Sequence, residues 1–175
     1  MSTGYSTSAL SPMAVIDSID VSQEWGQYIN SVCVTQTGAW LISVTVNTPK
    51  GGVVYTRRSQ DRGQTWGPRV YVVPPGSLEP GRTIEMGQLL PVDVDGVSRI
   101  YQFHVQHTRE STRFGQLRYS VSHHDGRTWE GPGGPGTLYE LPAPPYELSP
   151  DSDGWHLMAP GLTLESGEWL LPMNI

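Results

Sequence analysis

Ser59-Gln60-Asp61-Arg62-Gly63-Gln64-Thr65-Trp66-Gly67-Pro68 returns further along the chain as Ser122-His123-His124-Asp125-Gly126-Arg127-Thr128-Trp129-Glu130-Gly131-Pro132, with the two tryptophans 63 residues apart. Each stretch has the makings of a tight turn. Short Ser and Asp side chains hydrogen-bond turn amides, a Gly takes a conformation closed to residues with a Cβ, and a Trp fills apolar space between strands. A second signal precedes each copy: Gln36-Thr37-Gly38 and Val94-Asp95-Gly96, both flanked by apolar runs, read as hairpin turns. Glu165-Ser166-Gly167 repeats that hairpin signal a third time.

Around these turns the chain reads as strands. Apolar and β-branched runs cover 31–35, 40–46, 53–58, 69–73, 87–91, 98–105, 116–122, 137–141, 155–164 and 168–173. No window of a dozen residues keeps a helical apolar stripe without a Gly or Pro breaking it. An all-β chain follows, with four strands to a repeat. The turn order places each tryptophan motif between the third and fourth strand.

Composition narrows the function classes. The 175 residues are 37% hydrophobic and 16% charged, with 20 Gly and 15 Pro spread as punctuation, which is globular rather than disordered. A formal net charge of -6 removes the basic footprint that nucleic acid or an anionic membrane requires, so neither is expected as a partner. No apolar run is long enough to span a bilayer, and the first twenty residues lack the basic start and apolar stretch of an export signal. Cys33 is the only cysteine and sits in an apolar run, which reads as a small buried hydrophobe and excludes an internal disulfide.

The first tryptophan motif matches the Asp box, Ser-x-Asp-x-Gly-x-Thr-Trp, of the sialidase-type β-propellers at every specified position: Ser59, Asp61, Gly63, Thr65 and Trp66. The second copy, Ser122, Asp125, Gly126, Thr128 and Trp129, departs from it, since His124 stands where the Asp belongs and Asp125 follows one place later. The resemblance implies a fragment of a six-bladed β-propeller. Residues 1–20 would be a lead-in, 21–74 and 75–142 two four-stranded blades, and 143–175 the first part of a third. The faces of the first and last sheets would then lie open, and the remaining blades or self-association would cover them.

The same resemblance implies a sialidase-like glycoside hydrolase, or a related carbohydrate-active enzyme, acting on a glycan without any cofactor or metal. The alternative is a non-catalytic glycan-binding or scaffold propeller. In the family the opening blade supplies an arginine for the substrate carboxylate and an aspartate as general acid. Here Tyr28 occupies the arginine position, and 47–52 carries no carboxylate, so the catalytic set is incomplete and the catalytic residues are unknown.

Strand direction puts the tryptophan turns on the face opposite the mouth, which 24–30, 47–52, 74–85, 106–114 and 142–156 would build. Within these segments Arg82, Glu85, His107, Arg109, Arg113, Asp153 and His156 are the candidate substrate-binding residues, with Glu110 beside them. Guanidinium forks suit carboxylate and hydroxyl oxygens, and carboxylates or imidazoles suit proton transfer. His104 and His107, three apart on a strand, are expected one inward and one outward, with no shared metal. The Gly131-to-Gly136 run lacks the following helix of a nucleotide loop, and the Asp-rich turns at 93–96 and 151–154 lack the closing Glu of an EF-hand.

Overall fold

A computed structural model describes residues 25–49, 51–78, 80–108, 111–130, 136–140, 156–157, 159 and 161–174. Among them every regular element is a strand, and all pairing is antiparallel. Sheet 1 is the meander β1 (Trp25–Val34), β2 (Trp40–Thr48), β3 (Gly51–Ser59) and β4 (Val70–Val73), hydrogen-bonded in that order. Sheet 2 repeats the plan with β5 (Arg82–Val94), β6 (Val97–Thr108), β7 (Ser111–Ser122) and β8 (Gly136–Glu140). A third unit is one interrupted hairpin: β9 (His156–Leu157) pairs with β12 (Met173–Asn174), and β10 (Leu162–Thr163) with β11 (Trp169–Leu170). The doubled meander and the partial third sheet agree with the turn order of the sequence.

The three hairpin signals form turns of two kinds. At Gly38 and Gly167 the bonds are the same: Thr35 N–H donates to Ala39 O (2.8 Å) and Gly38 N–H to Thr35 O (2.9 Å), as Leu164 N–H donates to Glu168 O (2.8 Å) and Gly167 N–H to Leu164 O (2.9 Å). The hairpin at Asp95-Gly96 is a two-residue reversal with both residues at positive φ, 53° and 76°.

Sheets 1 and 2 pack face to face, and the alternation of strand side chains decides what meets. Leu41, Leu89 and Ile100 form one cluster between them, with Cys33 and Trp129 against it. Val54, Val72, Val73 and Ile84 form a second, again with Trp129. Between the clusters the contact is polar. A bulge in β5 between Glu85 and Gln88 interrupts its ladder with β6, and hydroxyls of sheet 1 bond the backbone there. Ser31 Oγ accepts from Leu89 N–H (2.8 Å) and donates to Gly87 O (3.5 Å), and Thr45 Oγ1 accepts from Gly87 N–H (3.3 Å). Sheet 2's other face buries Leu90, Val92, Phe103, Val105 and Leu117 under Leu157, Leu171 and Met173 of the third unit.

Several expectations need correction. β5 starts at Arg82 rather than 87, so Arg82 and Glu85 stand on a strand and not in the loop before it. His104 and His107 are both buried, at 0% and 3% exposure, because sheet 1 covers one face of β6 and the third unit packs on the other. The outer face of sheet 1 is not open across its width: Ile42, Val44, Val46, Val53 and Tyr55 are all buried, with Trp66 packed against them and the Arg69 guanidinium over the Tyr55 ring.

Gly52 shows how close the sheets come. A Cβ there would lie 2.8 Å from Ile84 O and 2.9 Å from Ile84 N, a collision with backbone that no rotamer change relieves. Gly52→Ala is therefore expected to cost about 1–3 kcal/mol of unfolding free energy by forcing β5 away. Urea unfolding of the variant beside the unaltered chain checks it.

Candidate functional site

Each sheet has two ends with different chemistry, and the tryptophan turns define one of them. In the first turn Ser59 Oγ accepts from the amides of Asp61 (3.3 Å) and Gly63 (2.8 Å) and donates to Asp61 Oδ1 (2.7 Å). Asp61 in turn accepts from Thr65 N–H (2.8 Å) and Thr65 Oγ1 (2.5 Å). Arg57 closes the far side, donating to Trp66 O (3.0 Å) and Gly67 O (2.7 Å). The second turn repeats several of these bonds at equivalent positions. Ser122 Oγ accepts from the amides of His124 (3.3 Å) and Gly126 (2.9 Å), and His124 Nδ1 takes the place of the Asp61 carboxylate, 2.8 Å from Thr128 Oγ1.

Both turns need the left-handed region twice in succession: Arg62 and Asp125 at φ 58°, then Gly63 and Gly126 at 86° and 75°. His124 therefore takes over the carboxylate's bond to the Thr hydroxyl, and the backbone of the turn keeps the same pair of left-handed residues. Asp125 is released for another role. Its Oδ2 lies 2.6 Å from Arg58 Nη2 and 2.6 Å from the Thr37 hydroxyl, tying the turn of sheet 2 to β3 and to the β1–β2 turn of sheet 1. Trp129 makes the same crossing, its Nε1–H donating to Thr56 Oγ1 (3.1 Å). The one-place displacement of Asp125 in the motif was the only sequence signal for this clamp.

Electrostatics agree with a structural role for this end. Burial alone would raise the Asp125 carboxyl, but hydrogen bonds from Thr35, Thr37 and Arg58 and the Arg58 charge outweigh it and hold it below the usual range. Hydrogen bonds from Thr65, then Ser59, hold Asp61 down at about 2. The Cys33 thiol is pushed up to about 12 by burial, with Asp125's charge adding to it, so it is no nucleophile at neutral pH. Between the two turns lies a cleft of about 440 Å³ lined by Arg58, Gln60, Thr65, Gly67, Val70 and Arg127.

The opposite end carries the sequence candidates. Register sets Arg82 beside Thr108 and Thr83 beside His107, and β7 begins at Ser111 across from Thr108. Arg82, Glu85 and His107 thus share one end of sheet 2, with the Arg113 position on the adjoining strand. β9, which carries His156, runs against β5, where Gln88 Nε2–H donates to Leu157 O (3.3 Å). Arg109, Glu110 and Asp153 lie outside the described residues, as do the side chains of Glu85, Arg113 and His156. Arg82 is half-buried at the strand end, whereas His107 is buried and so does not stand as an open surface group. The β2–β3 connection at this end is a two-residue reversal between paired Thr48 and Gly51, with Thr48 Oγ1 donating to Gly51 O (2.7 Å). Among the described residues no three His, Cys, Asp or Glu side chains group as a metal site.

Beneath this end, between the sheets, His104 lies in a row of amides. Its Nδ1 is 2.9 Å from Gln102 Oε1 and its Nε2 3.4 Å from Gln106 Nε2. Burial, with Arg118's charge second, pushes the imidazole down to about 3. No protein-family model matches the chain, and no curated protein matches it either.

The His104 value has a consequence for stability. An imidazole in the unfolded chain titrates near ~6.5, so on acidification the unfolded state takes up a proton that the folded state refuses until about pH 3. Stability is expected to fall as pH drops from ~6.5 toward 3, by at most about 1.4 kcal/mol per pH unit from this group. Asp61 extends the loss below ~4, since its folded carboxyl stays ionised down to about 2. Urea unfolding at stepped pH checks this: His104→Gln should flatten the slope between ~6.5 and ~4.5.

Proposed function

We propose that this chain is part of a sialidase-like β-propeller whose mouth recognises a glycan without cleaving it. The observation that supports this reading is the end of the sheets opposite the tryptophan turns. There the strand ends gather the positions of Arg82, Glu85, His107, Arg113 and His156, while the β2–β3 reversal leaves no room for an acid-bearing loop. Hydrolysis in the sialidase-like family needs an aspartate acid beside a tyrosine nucleophile, and 47–52, where the opening blade would offer that acid, carries no carboxylate. Guanidinium and amide groups suffice to hold sugar oxygens. The sialidase-like assignment rests on the Asp-box match at Ser59, Asp61, Gly63, Thr65 and Trp66.

A second reading has its own observation, the cleft between the two turns, where Arg127, Gln60 and Thr65 are exposed. Calorimetric titration with a panel of neutral and acidic oligosaccharides separates the two. Arg82→Ala is expected to weaken binding by about tenfold or more, the worth of one charge-assisted hydrogen bond, while Arg127→Ala leaves it unchanged. Loss with Arg127→Ala alone moves the site to the cleft. Release of reducing sugar by the unaltered chain contradicts the non-catalytic reading.

A further inference from the structure

The exposed large apolar side chains among the described residues concentrate at the two ends of the stack of sheets. On the face of sheet 1 that points away from sheet 2, Ile29 (55%), Val32 (54%), Val34 (56%) and Trp40 line β1 and the start of β2. On the far side of the third unit, Leu162 (56%), Leu164 (44%) and Leu170 (50%) line β10, the turn and β11. Tyr71, Val97 and Trp169 are the exceptions.

The internal repeat says what each strip is for. The turns at Gly38 and Gly167 carry the same hydrogen bonds, and each is followed two places later by a tryptophan, Trp40 or Trp169. Cross-strand pairs then correspond: Val34↔Trp40 with Thr163↔Trp169, and Cys33↔Leu41 with Leu162↔Leu170. In the first unit Leu41, backed by Cys33, packs on Leu89 of β5, the first strand of the next sheet. Their counterparts Leu170 and Leu162 have no next sheet among the described residues. Conversely, the Trp169 ring meets the preceding sheet, 4.6 Å from Tyr101 and 6.1 Å from Phe103, whereas its counterpart Trp40 has no preceding sheet among the described residues; the two residues are 38% and 36% exposed.

We propose that the two strips are the two halves of one interface, and that a second copy of this chain, docked head to tail, supplies the missing half at each end. The β10–β11 face of one copy lies on the β1 face of the other, as β1–β2 lies on β5 within a single chain. The extents match, because each strip is confined to the first two strands of its repeat. Covering them removes most of the exposed large apolar surface at once, which an unrelated partner at one end would not do. Contact between two different patches is heterologous, and two copies close it when the rotation permits. This inference is independent of the glycan reading.

Sedimentation velocity over a wide concentration range tests it with two variants at exposed positions, Val32→Lys and Leu170→Glu, each first checked for a native circular-dichroism spectrum. The unaltered chain is expected to pass reversibly from monomer to twice the monomer mass, and each variant alone to stay monomeric. Mixing the two variants should restore the larger species, because one interface of the mixed pair is then unaltered and the other sets Lys against Glu. A folded unaltered chain that stays monomeric overturns the proposal. So does association by either variant alone, or a mixture that remains monomeric.

Discussion

Asp125 and Trp129 cross from the turn of one sheet to the body of the other, and the relation of the two sheets depends on that crossing. The carboxylate meets Arg58 and Thr37 while the indole N–H meets Thr56, so one turn fastens to β3 at two points and to the β1–β2 turn of sheet 1. The Arg58 and Asp125 side chains are only 13% and 15% exposed, which makes the pair a partly desolvated, charge-assisted one rather than a surface bridge. Around this anchor the apolar clusters at Leu41–Leu89–Ile100 and Val54–Ile84 complete the seal. The turn is therefore both a local staple and an inter-sheet clamp, and the two jobs fall to different residues of the same motif.

That division explains what the sequence made legible. Alternation of β-branched and polar residues, glycine-marked reversals and the doubled tryptophan motif were enough for an all-β chain of two four-stranded meanders with part of a third. Strand ends were less legible: β5 reaches back to Arg82 because Thr83 and Ile84 continue the ladder beyond a bulge that no local pattern announces. The inward or outward sense of His107 was misread because alternation predicts opposite faces but not that both faces of β6 are covered. In the sequence the second motif shows only its departure at His124 and Asp125. Only three-dimensional placement shows His124 bonding Thr128 where Asp61 bonds Thr65, and Asp125 turned toward the neighbouring sheet.

The candidate site follows from the same polarity. Because the tryptophan turns occupy one end of each sheet, the strand ends bearing Arg82 and His107 gather at the other, and strand direction alone was sufficient to foresee it. What strand direction could not supply is accessibility. Arg82 is half-buried and His107 is enclosed, while the row of Gln102, His104 and Gln106 behind them is a buried amide and imidazole layer that shapes the core beneath this end.

The clamp is measured most directly by a double-mutant cycle on Arg58 and Asp125, with Arg58→Met, Asp125→Asn and the pair compared by urea unfolding. The account predicts a favourable coupling energy of about 1–3 kcal/mol, so that the second substitution costs much less once the first is made. Additive effects, with a coupling within about 0.3 kcal/mol of zero, would show that the sheets are held together without this crossing and would contradict the account.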